Sequence, residues 1–192
     1  MKIQGVTVLT RTNVGTGSLT ITPSAGEITA MYNACPNTAT PTATLELVTK
    51  LGGSQVGVMD SKTAAVTLNA SIKPDFTTIT HSEQTTSPDV ATIVGGYVQG
   101  ISSLALAITG AVAGTGSTIK SYKITLSTTT INAVSGSTGV VSYSGTNMSL
   151  VGRVTDNRDR YLEKTVYVTI LPYAVPQITA SDFYRTTSKI VS

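Results

Sequence analysis

The 192-residue chain has no tryptophan, one cysteine, one histidine and few charges, and each shortage excludes a class of protein. Charged residues make up 12% of the chain, about half the usual share of a soluble domain. The 13 basic residues are scattered rather than clustered, so we predict no nucleic-acid partner. No stretch approaches ~18 uninterrupted apolar residues, so we predict no membrane-spanning helix and no membrane partner.

The lone cysteine and the lone histidine leave little room for chemistry. Cys35 cannot form an internal disulfide, and we interpret it as a small buried hydrophobic residue rather than a reactive thiol. His81 stands in a polar tract at 77–88 and is interpreted as a solvated linker residue, since no Gly-x-Ser-x-Gly motif accompanies it. A zinc site built from histidine and cysteine is excluded. We therefore predict no catalytic, cofactor-binding or metal-binding residue, and no enzyme activity.

What the chain does contain is about 55 serine and threonine residues, well above ordinary usage, beside 40% hydrophobic residues. Threonine and valine pack well on a pleated sheet, and apolar residues at helical spacing are nowhere sustained over ~11 residues. We predict an all-β protein. Glu27–Tyr32 fits either a strand or a helical turn. Alternating runs that predict strands lie at Ile3–Leu9, Ser18–Thr22, Thr44–Thr49, Lys62–Leu68, Lys120–Leu126, Leu150–Thr155 and Thr165–Leu171.

The length allows one large sandwich or two modules of about 100 residues each, and we predict two tandem immunoglobulin-like β-sandwich modules. Pro74 and the polar tract after it mark the boundary. We predict an N-terminal β-sandwich module at 1–74 and an immunoglobulin-like module at 75–176, with Phe76–Ile79 and Val90–Val94 as the first strands of the second module. Residues 177–192 are predicted to be a linker or the start of a further module.

Two Gly-Thr-Gly segments, at 15–17 and 114–116, resemble half of a dinucleotide-binding motif. Neither has the third glycine at the required offset, and neither opens a helix, so we interpret both as hairpin turns.

The segment Asp156–Arg160 is where carboxylates gather, but its interleaved arginines argue against calcium. We predict that it closes the hairpin between Leu150–Thr155 and the strand ending at Leu171, with Asp156 accepting hydrogen bonds from the backbone. The turn is expected to hold no ligand, so calcium should leave the melting temperature unchanged.

Three tyrosines, Tyr161, Tyr167 and Tyr173, follow one another at six-residue spacing in or near one strand. An even offset puts them on the same face of a regular strand. They could form a stripe of stacking platforms for sugars or a packing edge against a neighbour.

Several segments of the second module together resemble a module repeated in minor structural proteins of siphophage tails. The family ending reads roughly Val-Thr-Asp-Ser-Arg-Gly-Arg, then a Thr/Val strand, then Pro-Tyr-x-x-Pro. Asp159 stands where the family often has glycine. The junction between Asp60–Thr63 and Ile72–Pro74 is similar to the link between a preceding module and this one. The segments that carry the resemblance are Tyr97–Gly100, Ser103–Leu106, Ile119–Leu126, Val154–Arg160 and Lys164–Tyr173.

The resemblance covers about residues 44 to 184 and implies an immunoglobulin-like β-sandwich in a tail, baseplate or fibre protein of phages that infect Gram-positive bacteria. It implies a non-enzymatic structural protein of the virion that acts as a rigid spacer and adds accessory contacts to the host surface. Implied partners are other tail or baseplate proteins and a host cell-wall glycan. Fibres and baseplates usually have closed rotational symmetry, often threefold, so we expect a homo-oligomer, with a trimer as one form. The alternatives are a carbohydrate-binding module that recognises host cell-wall polysaccharide, or a bacterial surface adhesin repeat.

Overall fold

The computed structural model describes residues 1–12, 14, 18, 20–84 and 90–177. The N-terminal unit contains, in chain order, β1 (Lys2–Ile3), β2 (Val6–Thr7), α1 (Ala25–Asn33), β3 (Thr42–Leu51) and β4 (Ser54–Ala65). The C-terminal unit contains β5 (Thr78–Glu83), α2 (Val90–Val94), β6 (Tyr97–Val98), β7 (Ser103–Thr109), β8 (Ile119–Leu126), β9 (Thr129–Ile131), β10 (Ser135–Val140), β11 (Gly145–Asp156) and β12 (Tyr161–Leu171). The predicted all-β class is confirmed.

The N-terminal unit is one antiparallel sheet in the order β2-β1-β3-β4 with helix α1 beside it. Ser24 caps the helix by accepting a hydrogen bond from the Glu27 N–H, while Glu27 accepts one from the Ser24 N–H. An ion pair with Arg11 and this backbone bond lower the pKa of Glu27 to about 2. The segment 27–32, which fitted either state, is therefore helical. The predicted N-terminal module was a sandwich, whereas the described part of this unit contains one sheet and one helix.

Two further strand predictions for this unit were wrong. Ile3–Leu9 is not one strand, because a turn at Gln4 and Gly5, both with positive φ, folds β2 back against β1. The described residues of Ser18–Thr22 form no strand, and the Thr22 carbonyl accepts a hydrogen bond from Arg11 instead of pairing in a sheet. Leu19 lies outside the described residues.

Strands β3 and β4 form a hairpin, here called the β3–β4 arm (Thr42–Ala65). Gly52 and Gly53 form its two-residue turn, and both have positive φ, as the turn that matches strand twist requires. The return strand begins at Ser54 rather than Lys62, and all twelve of its residues are exposed.

The C-terminal unit packs two sheets around one core, one in the order β10-β7-β5 and the other β6-β12-β11-β8-β9. Side chains alternate as the sequence predicted: Ile124 and Leu126 of β8 are fully buried, while Lys123 just before them is exposed. The other large buried side chains of the core include Phe76, Leu104, Leu106, Leu150 and Ile170. This unit is the sandwich that the alternating pattern predicted.

Two predictions near the start of this unit were wrong. Val90–Val94 is a short helix rather than a strand, closed by a hydrogen bond from the Gly95 N–H to the Ala91 carbonyl. His81 is not in a linker, because it lies in β5 opposite Leu106, with its Nδ1 2.7 Å from the Tyr97 hydroxyl. Partial burial lowers the pKa of His81. The polar tract misled the prediction because β5 is an edge strand, with one face open to solvent.

The helices α1 and α2 are both too short to cross a membrane, and the described residues contain no helix long and apolar enough to do so.

The two units have separate hydrophobic cores. One core uses buried residues from Ile3 to Leu68, and the other uses buried residues from Phe76 to Ile170. Among the described residues, no buried residue belongs to both cores. The division at residue 74 remains a prediction, and expressing one unit without the other tests it.

We expect residues 75–176, expressed alone, to fold with a single cooperative thermal transition and a folded near-UV circular dichroism signal. A fragment of 84–176 is the matched control, because it lacks Phe76 and β5 and so loses part of the core. Aggregation of the longer fragment, or equal behaviour of the two fragments, would contradict the boundary.

Candidate functional site

The turn between β11 and β12 is built around the carboxylate of Asp156. Its Oδ1 accepts hydrogen bonds from the N–H groups of Arg158 and Arg160, at 2.9 and 3.1 Å. Asp159 takes a positive φ of 60°, the conformation that glycine supplies most easily. Asp156 is fully buried, and β11 and β12 pair on either side of the turn. The predicted hairpin closure is confirmed, as is the role of Asp156 as a backbone acceptor.

Arg158 leaves this turn and enters the N-terminal unit. Its Nε donates to the Cys35 carbonyl at 2.7 Å and its Nη2 to the Tyr32 carbonyl at 2.7 Å. Its Nη1 donates to the Thr115 carbonyl at 2.8 Å, and the side chain is almost wholly buried. Tyr32 lies in the last turn of α1, which has no basic residue of its own there. A guanidinium from the other unit thus neutralises the negative end of this helix.

Arg160 makes the same kind of contact with the segment that joins the two units. Its Nη1 donates to the carbonyls of Asn69 and Ile72, at 2.6 and 2.8 Å. Its Nη2 donates to the Leu68 carbonyl at 2.7 Å. The two guanidinium groups therefore bind six carbonyl oxygens, five of them from residues before Pro74. We call Asp156–Arg160 with these contacts the arginine clamp.

The loop before β8 completes the contact. Ser117 donates its hydroxyl to the Pro36 carbonyl at 2.7 Å. At Gly116, a Cβ atom would lie 2.5 Å from the carbonyl carbon and oxygen of Tyr32, so the approach to α1 requires glycine. The Gly-Thr-Gly segment at 114–116 is thus a contact loop against the N-terminal unit.

The clamp buries two charged side chains, Arg158 and Asp156, close to each other. Burial lowers the pKa of Arg158, while the negative charge of Asp156 acts in the opposite direction. The guanidinium stays protonated because arginine is far too basic to lose its proton here. This arrangement can hold two bodies together, and within the described residues it offers no group of three or more metal ligands. The absence of a bound ion remains a prediction.

Sequence reasoning placed the turn but missed the partners of its arginines. From the sequence, Arg158 and Arg160 counted only as an argument against calcium. Their carbonyl partners lie up to 126 residues away in the chain, so no local pattern indicated them. Cys35 is fully buried as predicted, and burial raises the pKa of its thiol. It takes part in the clamp through its carbonyl oxygen rather than its sulfur.

The outer face of β12 carries two of the three tyrosines. Tyr161 and Tyr167 are both exposed on this face, and the Arg153 guanidinium carbon lies 3.5 Å from the centre of the Tyr161 ring. Beside Tyr161, which pairs with Thr155, is an open cleft of about 490 Å³, lined in part by Thr155, Lys120 and Arg153. Tyr173 lies beyond the end of β12 and is also exposed.

We expect Arg158→Ala to lower the free energy of unfolding by about 3 kcal/mol, because buried carbonyls lose a charged donor. Arg158→Lys should fall between this variant and the wild type, since an ammonium group cannot reproduce the guanidinium fork. Lys123→Ala, on the exposed face of β8, is the control and should change stability by less than about 0.5 kcal/mol. Urea denaturation measures all three, and an Arg158→Ala variant as stable as the control would contradict the role of the clamp.

The comparisons with known proteins agree with the sequence resemblance. Comparison with curated proteins and with solved structures found no match. Residues 7–190 match a family model described as "Siphovirus protein of unknown function (DUF859)". Because the match spans nearly the whole chain, from before α1 to beyond β12, the chain belongs to this family of siphovirus proteins.

Proposed function

We propose that the protein is a non-enzymatic structural component of a siphophage tail, baseplate or fibre, in which two β-rich units act as one stiff spacer. Membership of a siphovirus family supports a phage structural protein associated with the virion. We further propose that the C-terminal sandwich is an immunoglobulin-like module and that the host is a Gram-positive bacterium, as the tail-module resemblance implies. The partners of such a spacer are other tail or baseplate proteins.

The observation that carries the proposal is the arginine clamp. A flexible string of modules would need only a solvated linker, whereas here Arg158 and Arg160 bind carbonyls of the neighbouring unit and of the linker itself. Hydrogen bonds to charged donors are directional, so they fix the angle between the units as well as their distance. A fixed angle is what a part that transmits position along a tail requires.

The stiffness can be measured with pairs of spin labels placed one in each unit. We expect a single narrow distance distribution for the wild type and a broad one for the Arg158→Ala/Arg160→Ala double variant. Lys123→Ala serves as the matched control and should keep the narrow distribution. A broad distribution in the wild type would contradict the spacer role.

Location is tested separately on purified virions with an antibody against the chain. We expect immunogold label on the tail rather than the capsid, and peptides of the chain in the virion by mass spectrometry. A chain found only in infected-cell lysate would overturn the structural role.

A second candidate function is binding of a host cell-wall polysaccharide on the outer face of β12. The observation that favours it is that Tyr161 is 47% exposed and pairs with Thr155, a residue of the cleft that also carries Lys120 and Arg153. Exposed tyrosine rings with nearby donors are suited to sugars, and the cations are suited to acidic ones.

For this second function we expect Tyr161→Ala to weaken binding to purified acidic wall polysaccharide about tenfold, equivalent to about 1.4 kcal/mol. Tyr173→Ala removes an exposed tyrosine beyond the end of β12 and should leave binding unchanged. Isothermal titration calorimetry measures both, and no binding by the wild type would eliminate this candidate.

A further inference from the structure

Strand β4 is an unusually bare sheet edge. It lies at the end of the order β2-β1-β3-β4, and its outer side pairs with no other strand in the described part of the chain. All twelve residues are exposed, with Val58 at 97%. A long exposed edge offers unpaired N–H and C=O groups to any second strand, so natural proteins normally cover such an edge or keep it short.

The geometry of the strand restricts how a second copy could pair with it. In an antiparallel ladder, alternate residues turn their N–H and C=O groups towards one neighbour and the others turn theirs away. Two identical edges can therefore bond only when residues of the same parity stand opposite each other. In the single chain, the Ser61 N–H donates a hydrogen bond to the Asp60 carboxylate at 2.9 Å.

Several registers place residues of the same parity opposite each other, and the charges on β4 favour one of these registers. Asp60 and Lys62 lie two residues apart on the same face of β4, and neither is in an ion pair of the described structure. One register opposes Asp60 to its own copy, and another opposes Lys62 to its own copy. The register between them has Ser61 on the axis and puts Asp60 opposite Lys62 twice over. Opposite charges across a strand pair stabilise it, while like charges destabilise it.

We propose that the protein forms a twofold dimer through antiparallel pairing of β4 with β4 of a second copy, with Ser61 on the axis. Asp60 of each copy pairs with Lys62 of the other. The two four-stranded sheets become one sheet of eight strands. On β3, Leu47 stands opposite Asp60 and Leu45 opposite Lys62, so each ion pair lies between leucines. This arrangement differs from the trimer that fibre symmetry suggested, because an interface that uses the same edge twice closes at two copies.

The shape of the strand limits the contact to its middle. The β3–β4 register shifts between Leu47 and Thr49, and Gly57 in the bulged stretch has a φ of 80°. Pairing around Ser61 then spans about five residues, Met59–Thr63, a usual strand length. The tip of the arm stays outside this contact. The opposite edge of the sheet, β2, has two residues, too few to propagate a fibre.

Charge exchange in the full chain tests the proposal by light scattering after size exclusion. We expect the wild type at twice the 19.8 kDa of one chain. Asp60→Lys and Lys62→Asp should each give monomer, because like charges then meet twice. The double exchange Asp60→Lys/Lys62→Asp should restore the dimer, which a merely damaged strand would not do. A monomeric wild type, an assembly indifferent to both single changes, or a double exchange that stays monomeric would overturn the proposal.

Oxidative crosslinking checks the register independently. Residues opposite each other in an antiparallel pair have Cα atoms about 4.5–5.5 Å apart, within disulfide reach. Ser61→Cys should therefore yield a covalent dimer, while Thr63→Cys should not, since the two copies of residue 63 stand about 13 Å apart along the strands. The native Cys35 is fully buried and does not interfere. Crosslinking of Thr63→Cys in preference to Ser61→Cys would show a different register and contradict the proposal.

Discussion

Two guanidinium groups that bind the open carbonyls of a distant unit are the constraint on which the relative placement of the two units depends. Helix α1 ends without a basic residue of its own. In the connecting segment, the carbonyls of Leu68, Asn69 and Ile72 face Arg160. A charged donor forms a stronger hydrogen bond to a carbonyl than a neutral one does. Arg158 and Arg160 supply such donors from one turn, also to Tyr32 and Asn69, whose carbonyls accept a nearby backbone N–H as well. Asp156 holds both arginines by their backbone, so one carboxylate organises the whole contact.

The clamp also explains how a charge-poor chain joins two units without a large apolar interface. In the part of the chain that the structure describes, the two hydrophobic cores share no buried residue, and hydrogen bonds to main-chain oxygens cross the junction. Such bonds depend on the path of the backbone rather than on the size of side chains. Gly116 allows the two backbones to approach closely enough for the guanidinium of Arg158 to reach Tyr32 and Cys35. A polar junction of this kind tolerates water around it during folding, whereas an exposed apolar interface would favour aggregation.

The sequence predicted the features that depend on local pattern. Alternation in β8 and β11 predicted which side chains are buried, because the period of a strand is two whatever surrounds it. The turn at Asp156–Arg160 was recognised from the way its residue types bond to their own backbone. Failures came where neighbours decide the outcome. Val90–Val94 is apolar enough for a strand but folds as a helix, and the described residues of Ser18–Thr22 lie in no strand despite their alternation. Two of the three carbonyl partners of Arg158 lie more than a hundred residues away, and no local pattern marks them as acceptors for an arginine.

The long separation in sequence between α1 and Arg158 affects the order in which their contacts form during synthesis. The helix lies near the start of the chain, but the cation at its C-terminal end is encoded 123 residues after Cys35. At a translation rate of ~5–20 residues per second, the helix waits roughly 6–25 s for Arg158. The N-terminal unit therefore emerges from the ribosome before the cation that binds at the end of its only described helix. It reaches its final form when the last hairpin of the chain closes, so the unit made first is finished last.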